Sequence, residues 1–258
     1  MADAKTFVAN APAWIDLSTK DPAGARDYYS KLFGWKIDEP RPDAGGYMLA
    51  KQGGKDVAGV GPTQDPNAPS AWNVYIGSRD AEATAKKVEA AGGKVVAPAF
   101  DVLDQGRMAV FQDPSGAFIS VWQPEKMFGA EVMGKEGSYG WAELNSRGFD
   151  RASDFYKKVF GWGTKVSPMG EGQPDYTEFL VDGQSIAGGM EMNPMVPAEV
   201  PSYWMVYFTV TDVDRLHKKA IDLGGSEMLP PQEFPGGRFS ILSDAQGAMF
   251  GLLKMRQG

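Results

Sequence analysis

The chain carries the same helix end twice, and this internal duplication constrains its fold more than any other feature of the sequence. The stretch DYYSKLFGW occupies residues 27–35, and DFYKKVFGW occupies residues 154–162, 127 positions later, with no gap across at least twenty positions. Further along, DPSGA at 113–117 parallels DAQGA at 244–248 at an offset of 131. The chain therefore consists of two homologous halves that differ by a few inserted loop residues.

Each half is itself predicted to contain two modules, each made of a strand, a helix and three further strands. Strand AWIDLS is followed by a helix whose apolar residues recur at helical spacing on one face, namely Ala25, Tyr28, Tyr29, Leu32 and Phe33. Gly34 ends this helix, as a glycine after the last turn commonly does. The pattern restarts at WNVYIG, with a helix that Asp80 caps and Gly92 ends. Helices are predicted near 24–33, 81–91, 151–160 and 213–223.

The expected fold class is α+β, with four tandem βαβββ modules. A chain of 258 residues is long enough for two domains with buried cores. We expect domain 1 at residues 1–124 with modules 1 and 2, a linker at 125–137, and domain 2 at 138–258 with modules 3 and 4. Whether module 1 pairs with module 2 or with module 4 stays open at this point.

This arrangement resembles the vicinal oxygen chelate superfamily, which includes glyoxalases, extradiol dioxygenases and bleomycin-resistance proteins. The resemblance is carried by DPAGARDYYSKLFGW, DRASDFYKKVFGW, DPSGAFISVW and the paired helix ends at Gly92 and Gly224. Four-module actinobacterial proteins of the glyoxalase-like group, labelled hydroxylases or antigens, are the members it is most similar to. The resemblance implies two glyoxalase/bleomycin-resistance-like domains with curved mixed sheets.

The same resemblance implies a metal site, but the corresponding positions hold unsuitable side chains. These positions are Trp14, Asn73 and Ser120 in the first half and Trp141, Met205 and Gly251 in the second. The chain has no cysteine and one histidine, which leaves mainly oxygen ligands of the kind that magnesium or calcium prefers. We therefore expect that the metal centre has been lost and that the protein has no cofactor.

Strand alternation predicts which residues line the concave face of each sheet. Ile15 and Leu17 are apolar and are expected to face the helices, so their neighbours point the other way. The residues that alternate in this way are Trp14, Asp16, Asn73, Tyr75, Phe118, Ser120 and Trp122 in the first half and Trp141, Glu143, Tyr203, Met205, Tyr207 and Met249 in the second. Aromatic walls with a few polar groups are typical of small-molecule pockets and suit planar ligands.

Several of these residues have two possible roles. Trp14 and Trp141 either fill the concave face as packing or contact a ligand. Asp16 and Glu143 are predicted to be buried carboxylates, which are costly unless they are paired. They either pair with Arg107 and Arg238, respectively, or act on a ligand as contact or acid–base groups.

The lone histidine, His217, falls beside the apolar stripe of its predicted helix and next to Lys218 and Lys219. We expect it at the surface.

Charge and composition exclude several classes of partner. The net charge of −7 and the absence of a basic cluster argue against nucleic acid. No apolar stretch approaches the ~20 residues that span a bilayer, and the N-terminal segment lacks an apolar signal region. We therefore expect a cytoplasmic protein without nucleic-acid or membrane partners.

Three functions compete on this basis. The favoured one is a metal-free protein that binds a small planar or aromatic molecule, as resistance and sequestration proteins do. The second is a glyoxalase-like or hydroxylase-like enzyme acting on a small dicarbonyl or aromatic substrate, through Asp16 and Glu143 or an atypical metal site. The third is an interaction protein that presents its duplicated surface to a partner. The chain is expected to be a monomer or a homodimer.

Overall fold

The computed structural model describes residues 7–170, 172 and 174–256, and it repeats one order of elements four times. Module 1 consists of β1 (Pro12–Thr19), α1 (Pro22–Phe33), β2 (Lys36–Ile37), β3 (Met48–Gln52) and β4 (Lys55–Pro62), with a short 3₁₀ helix at Pro42–Ala44. Module 2 consists of β5 (Ala71–Gly77), α2 (Ala81–Ala90), β6 (Lys94–Val102), β7 (Gly106–Gln112) and β8 (Phe118–Pro124).

The second half follows the same order. Module 3 consists of β9 (Ser138–Ser146), α3 (Phe149–Phe160), β10 (Gly163–Ser167), β11 (Tyr176–Val181) and β12 (Gln184–Glu191). Module 4 consists of β13 (Tyr203–Thr209), α4 (Val213–Asp222), β14 (Ser226–Phe234), β15 (Gly237–Ser243) and β16 (Met249–Met255). The predicted α+β class with four βαβββ modules is confirmed.

The strands form two curved, mixed sheets of eight strands each. The first has the order β2-β3-β4-β1-β5-β8-β7-β6, and the second has the order β10-β11-β12-β9-β13-β16-β15-β14. In both sheets the first strand of a module runs parallel to the last strand of the same module, as β1 does with β4 and β13 with β16. This pairing is what brings the two ends of each module together.

The described chain also divides into two compact units. The first is built from the described residues of Met1–Trp14, Val74–Gly129 and Ala142–Trp204, and the second from those of Ile15–Asn73, Ala130–Trp141 and Met205–Gly258. Most of modules 2 and 3 therefore lies in the first unit, and most of modules 1 and 4 lies in the second. The domain boundaries at 1–124 and 138–258 stay a prediction, and residues 1–6, 257 and 258 lie outside the described part of the chain.

A tyrosine from the duplicated helix joins the two modules of each unit. In the second unit the buried Tyr29 hydroxyl donates to Asp244 (3.0 Å), and it accepts a hydrogen bond from the Trp72 indole (2.9 Å). Asp244 also accepts the backbone N–H groups of Gln246 and Ala248, which closes the DAQGA turn. Because Tyr29 is on α1 and Asp244 follows β15, this contact ties module 1 to module 4.

The first unit repeats the arrangement. Tyr156 on α3 donates to Asp113 (2.9 Å) and accepts from the Trp204 indole (2.8 Å). Asp113 also accepts the N–H groups of Ser115 and Ala117 in the DPSGA turn. The repeated tyrosine and aspartate of the sequence are thus the two sides of a contact between modules from different halves.

The repeated FGW sequence has a similar role. Gly34 and Gly161 end α1 and α3 in the left-handed conformation, with φ of 75° and 71°. The tryptophan that follows then donates to a backbone carbonyl, Trp35 to Gly137 (2.8 Å) and Trp162 to Asn10 (2.5 Å). Each helix end therefore holds the segment that precedes a first strand.

The prediction that His217 lies at the surface is wrong. The residue is only 5% exposed, and its Nε2 lies 2.8 Å from a carboxylate oxygen of Glu227 on β14. The buried face of α4 is wider than the stripe of Val213, Leu216 and Ala220, because β14 covers the neighbouring positions.

Within the described residues, no helix is long and apolar enough to cross a membrane.

Candidate functional site

Asp16 lies in a polar cluster within the second unit. Its side chain is 7% exposed, and its carboxylate accepts the Asn73 amide (2.8 Å) and the Tyr47 hydroxyl (3.2 Å). The same amide nitrogen also donates to Ser18 (3.0 Å). We call Asp16, Ser18, Tyr47, Gly59 and Asn73 the first-half cluster.

Glycine on β4 makes room for Tyr47 in this cluster. Gly59 lies beside Asp16 in the parallel pairing of β1 and β4. A Cβ atom at Gly59 would come within 1.7 Å of the Tyr47 hydroxyl, and one at Gly61 within 2.9 Å of the Tyr47 ring. The ring therefore lies against the strand, and any larger residue at these positions would displace it.

A corresponding cluster lies within the first unit, and we call Glu143, Asn145, Tyr176, Gly188 and Tyr203 the second-half cluster. Gly188 lies beside Glu143 in the parallel pairing of β12 and β9. A Cβ atom at Gly188 would come within 2.2 Å of the Tyr176 hydroxyl. Asn145 donates to the Glu143 carboxylate (3.2 Å). The glycine and tyrosine of the first half thus recur here around another carboxylate.

Electrostatics also connect the members of the second-half cluster. Burial raises the pKa of the Tyr203 hydroxyl, and the negative charge of Glu143 raises it further. Tyr203 is therefore held protonated, able to donate a hydrogen bond. Glu143 is half-buried, in contrast to the buried Asp16.

Tyr47 and Tyr176 were missed by the sequence analysis. Tyr47 comes directly before β3, and Tyr176 is the first residue of β11. Strand alternation was applied to other strands. A signal was nevertheless present, because Tyr47 and Tyr176 recur at an offset of 129, the same offset that separates Gly59 from Gly188. A recurring tyrosine and glycine at one offset indicates a contact that both halves share.

The predicted pairing of Asp16 with Arg107 and of Glu143 with Arg238 is wrong. Arg107 instead pairs with Asp101 (2.8 Å) and Glu82 (3.1 Å). Asp101 lies directly opposite on the neighbouring strand, and Glu82 is in the first turn of α2. The side chain of Arg107 therefore extends towards the helix and away from the opposite face of the sheet.

Arg238 in the second half likewise pairs with one carboxylate on a helix and one on the neighbouring strand. It forms a two-point contact with Asp214 in the first turn of α4 and a longer one with Glu233 (3.3 Å) on the paired strand. Its guanidinium therefore lies on the helix side of the sheet.

The other predicted site residues are mostly buried. Six of them are 6% exposed or less, namely Trp14, Tyr75, Ser120, Trp122, Met205 and Tyr207. Trp141 and Met249 are half-buried, and Phe118 is 53% exposed. Trp122 donates its indole N–H to the Met127 carbonyl (2.8 Å) and so holds the segment after β8. The burial of these six residues is typical of side chains that pack in a protein core.

Two of the positions where the family resemblance places a carboxylate ligand can be compared with the structure. Gly251 lies opposite Tyr207 in the pairing of β13 and β16, and a Cβ atom there would come within 2.0 Å of the Tyr207 ring. Ser120 lies opposite Tyr75 in the same way. Across the described residues, no group of three or more histidine, cysteine, aspartate or glutamate side chains is placed to hold a metal ion.

Two cavities lie at the ends of the duplicated helices and not at the predicted residues. The first unit contains one of about 480 Å³ whose lining includes Asn10, Arg79, Phe160, Gly161 and Asp182. The second unit contains one of about 220 Å³ whose lining includes Phe33, Gly34, Glu136, Arg215 and Lys219.

Comparison with known proteins places this architecture in a family. The chain is 39% identical to the anthracycline biosynthesis protein DnrV of Streptomyces peucetius, with 98% of this chain and 96% of that protein covered. It is also 39% identical to CFP32 of Mycobacterium tuberculosis (strain CDC 1551 / Oshkosh), with 94% of each chain covered. These relatives match the chain over both halves.

A solved structure shares the fold at low sequence identity. The Mn(II)-bound glyoxalase from Novosphingobium aromaticivorans superposes with a TM-score of 0.65 at 17% identity, over 95% of this chain and 82% of that one. The sequence model of the glyoxalase/bleomycin resistance protein/dioxygenase superfamily matches residues 11–121 and 138–252. The chain therefore belongs to the glyoxalase/bleomycin resistance protein/dioxygenase superfamily.

Proposed function

We propose that this protein binds a small planar molecule without the help of a metal ion, as a sequestration or resistance protein does. The observation that carries the proposal is the pair of corresponding clusters, each with a carboxylate beside a tyrosine that lies against a glycine. Aromatic side chains with a few polar groups are the usual lining of a small-molecule site. The tyrosine rings supply flat surfaces for stacking.

The metal-free part of the proposal is supported by the side chains at the positions where the family resemblance places metal ligands. Tryptophan at 14 and 141, methionine at 205 and glycine at 251 offer no charged donor. The ring of Tyr207 takes the space beside Gly251 that a ligating side chain would need. The set has no imidazole, thiolate or carboxylate, the ligands that hold zinc, iron or manganese in proteins.

The planar, aromatic nature of the ligand is supported by a relative. DnrV is named for anthracycline biosynthesis, and anthracyclines are built on a planar polycyclic ring system. Similarity over nearly the full length of both chains makes a ligand of related shape the first class to test.

The experiment is a binding titration with 1,4-dihydroxyanthraquinone as the planar probe, read by tryptophan fluorescence and by thermal unfolding. Binding at a hundredfold excess over Kd stabilises a protein by about 2.7 kcal/mol, so the melting temperature should rise with probe concentration. Cyclohexane-1,4-diol, which is not planar, is the matched control and should leave both signals unchanged. An interaction protein without a ligand site would respond to neither compound, and this outcome would overturn the proposal.

A second candidate function is an enzyme of the glyoxalase-like or hydroxylase-like type, acting on a dicarbonyl or aromatic substrate. It is favoured by the half-buried Glu143 carboxylate next to Tyr203, whose raised pKa keeps the hydroxyl protonated. A carboxylate base and a neutral hydroxyl donor are a usual acid–base pair. Incubation with the methylglyoxal–glutathione adduct or with catechol tests it, and turnover that Glu143→Gln abolishes would favour this function over simple binding.

The cytoplasmic location, the absence of nucleic-acid and membrane partners, and a monomeric or homodimeric state stay predictions. The nucleic-acid prediction rests on the net charge of −7, and the location and membrane predictions rest on the lack of an apolar signal region or a long apolar stretch.

A further inference from the structure

We infer that the cavity of the first unit, called here the first cavity, binds an α-amino acid with an apolar side chain. Arg79 takes the carboxylate of this zwitterion, and Asp182 takes its ammonium group. The lining of the first cavity includes no residue of the first-half or second-half cluster. The inference is therefore separate from the proposed function, and either can fail while the other stands.

The first cavity and the cavity of the second unit, called here the second cavity, occupy corresponding places in the duplicated chain. Trp162 donates to the Asn10 carbonyl, as Trp35 does to the Gly137 carbonyl. Asn10 lines the first cavity and Gly137 the second. The two linings can therefore be compared position by position, at an offset of 127 before the first strands and of 132 between α2 and α4.

The charged side chains of the second cavity bind within the protein. Glu136 accepts the N–H of Thr211 with one carboxylate oxygen, and its other oxygen lies 3.9 Å from the Arg215 guanidinium. Lys219 donates to the Leu32 carbonyl (3.2 Å) in the last turn of α1. This cavity measures about 220 Å³, and its charges already have partners.

The first cavity lacks the two side chains that pair in the second. Ala9 stands at the position that corresponds to Glu136. Ala83 likewise stands at the position that corresponds to Arg215. Two alanines in place of a carboxylate and a guanidinium leave more space, in line with the larger volume of about 480 Å³. Cavities of roughly 300–1,000 Å³ are typical of small-molecule sites.

The first cavity is lined instead by two charges of opposite sign. Arg79 stands at the position that corresponds to Thr211, and Asp182 begins the two-residue turn between β11 and β12. Both side chains are exposed. Among residues 7–170, 172 and 174–256, neither side chain has an ion-pair or hydrogen-bond partner. Both charges are therefore available to a ligand.

This pair of charges favours a zwitterion over a simple ion. An anion would be attracted by Arg79 but repelled by Asp182. It would also meet the partial negative charge at the end of α3, where Phe160 and Gly161 line the cavity. A simple cation would be repelled by the guanidinium. An α-amino acid carries its carboxylate and ammonium groups on one carbon, so a single molecule can satisfy both residues.

Apolar side chains in the same lining suit an apolar amino-acid side chain, and they are those of Phe7, Val8 and Val181.

The test is an NMR titration of the full chain, labelled with nitrogen-15, with three ligands that share a phenyl group. They are L-phenylalanine, 3-phenylpropionate, which lacks the ammonium group, and 2-phenylethylamine, which lacks the carboxylate. L-phenylalanine should shift the amide signals of Asn10 and Gly161 and leave those of Gly34 and Gly137 unchanged. Each analogue should bind about two- to fivefold more weakly, as the loss of one exposed ion pair predicts.

Substitutions at the two charges test the assignment of each. Arg79→Gln should weaken L-phenylalanine by the same factor as loss of the ligand carboxylate and should not weaken 2-phenylethylamine. Asp182→Asn keeps the side-chain size and suits the φ of 49°, which asparagine tolerates, and it should act in the same way on the ammonium group. Arg215→Gln in the second cavity is the matched control and should leave the affinity unchanged.

A further variant restores the pairing of the second cavity in the first. Ala9→Glu combined with Ala83→Arg should abolish the binding of L-phenylalanine, because the new side chains take the space and supply partners for each other. Denaturant midpoints on every variant show that it is folded.

Four results would overturn the inference. They are no shift with L-phenylalanine at millimolar concentration, equal affinity for all three ligands, equal shifts at the two cavities, and full affinity in Arg79→Gln. None of them bears on the anthraquinone titration, which tests the proposed function separately.

Discussion

Two buried tyrosines in this protein differ in what their hydroxyl groups do. The Tyr156 hydroxyl bonds to both Asp113 and Trp204. The Tyr139 hydroxyl is buried without a hydrogen-bond partner among the residues that the structure describes. Burial raises the pKa of both groups. The pair therefore allows the energy of a satisfied buried hydroxyl to be compared with that of an unsatisfied one.

We predict that Tyr156→Phe lowers the free energy of unfolding by about 1–3 kcal/mol, because the Asp113 carboxylate and the Trp204 indole each lose a buried partner. Tyr139→Phe removes a hydroxyl that makes no such bond, and its free energy of unfolding should stay within about 0.5 kcal/mol of the parent or increase. Urea denaturation of both variants measures the difference. Equal losses in the two variants would contradict the contact between modules 2 and 3.

The charge of Asp244 should make stability depend on pH. Burial raises the pKa of its carboxyl group, although hydrogen bonds from Ala248, Gln246 and Tyr29 oppose the shift. Because the folded pKa is above the unfolded value of about 3.9, its contribution to stability is fully present below that value and is lost as the pH rises through the folded pKa.

We therefore predict that Asp244→Asn removes this loss. The free energy of unfolding of the parent relative to Asp244→Asn should fall as the pH rises above about 4, and it should become constant once the carboxyl group is ionised in both states. Urea titrations at several pH values between acid and neutral measure it. A difference that grew with pH over this range would show that the pKa is lowered and not raised.

At the scale of elements, the glycines that end α1 and α3 serve the backbone alone. Gly34 has a φ of 75°, and a Cβ atom at this position would meet no atom within 4 Å. The cost of any side chain there is therefore conformational and not steric.

Gly34→Ala should lower the free energy of unfolding by about 1–2 kcal/mol, the cost of placing an alanine in the left-handed region. Gly34→Asn is the control and should cost less, since asparagine tolerates this conformation. Chemical denaturation of both variants provides the measurement. If the two substitutions cost the same, the left-handed backbone would not be what the glycine supplies.

At the scale of the whole molecule, each compact unit contains residues from both halves of the sequence. The contacts of Tyr29 with Asp244 and of Tyr156 with Asp113 join residues 215 and 43 positions apart, and each joins modules from different halves. A half produced alone leaves one partner of each contact unsatisfied.

We predict that a fragment of residues 1–124 and one of residues 138–258 are each poorly folded alone and form a complex when produced together. The buried tyrosine and aspartate of each contact then regain their partners. Size-exclusion chromatography and circular dichroism of the separate and mixed fragments measure this. Two stable monomers that do not associate would contradict it.

The proposed absence of a metal leads to a prediction for the intact protein. Elemental analysis should find no stoichiometric zinc, iron, manganese or nickel, and a chelator should leave the melting temperature unchanged, because no metal contributes to folding. A matched measurement on a metal-dependent glyoxalase provides the positive control. About one metal ion per half, together with a lower melting temperature after chelation, would contradict the proposal.

The sequence by itself determined the duplication, the βαβββ order and the ends of the helices. Asp80 caps α2 by accepting the Ala83 N–H, and Gly34 ends α1 in the left-handed conformation, as their positions predicted. These features depend on residues a few positions apart, so the periodicity of apolar residues and the identity of the capping residues are sufficient to predict them.

Only the tertiary structure decided which modules share a unit and which partners the charged side chains take. Arg107 contacts Glu82 on α2 and not Asp16, and His217 is buried beside Glu227. Tyr47 reaches Asp16 because Gly59 leaves space for its ring. Such contacts join residues that are distant along the chain, and their geometry depends on strand register and on neighbouring side-chain volume. A local sequence pattern specifies neither strand register nor neighbouring side-chain volume, because the same residue in the same pattern can contact many different partners.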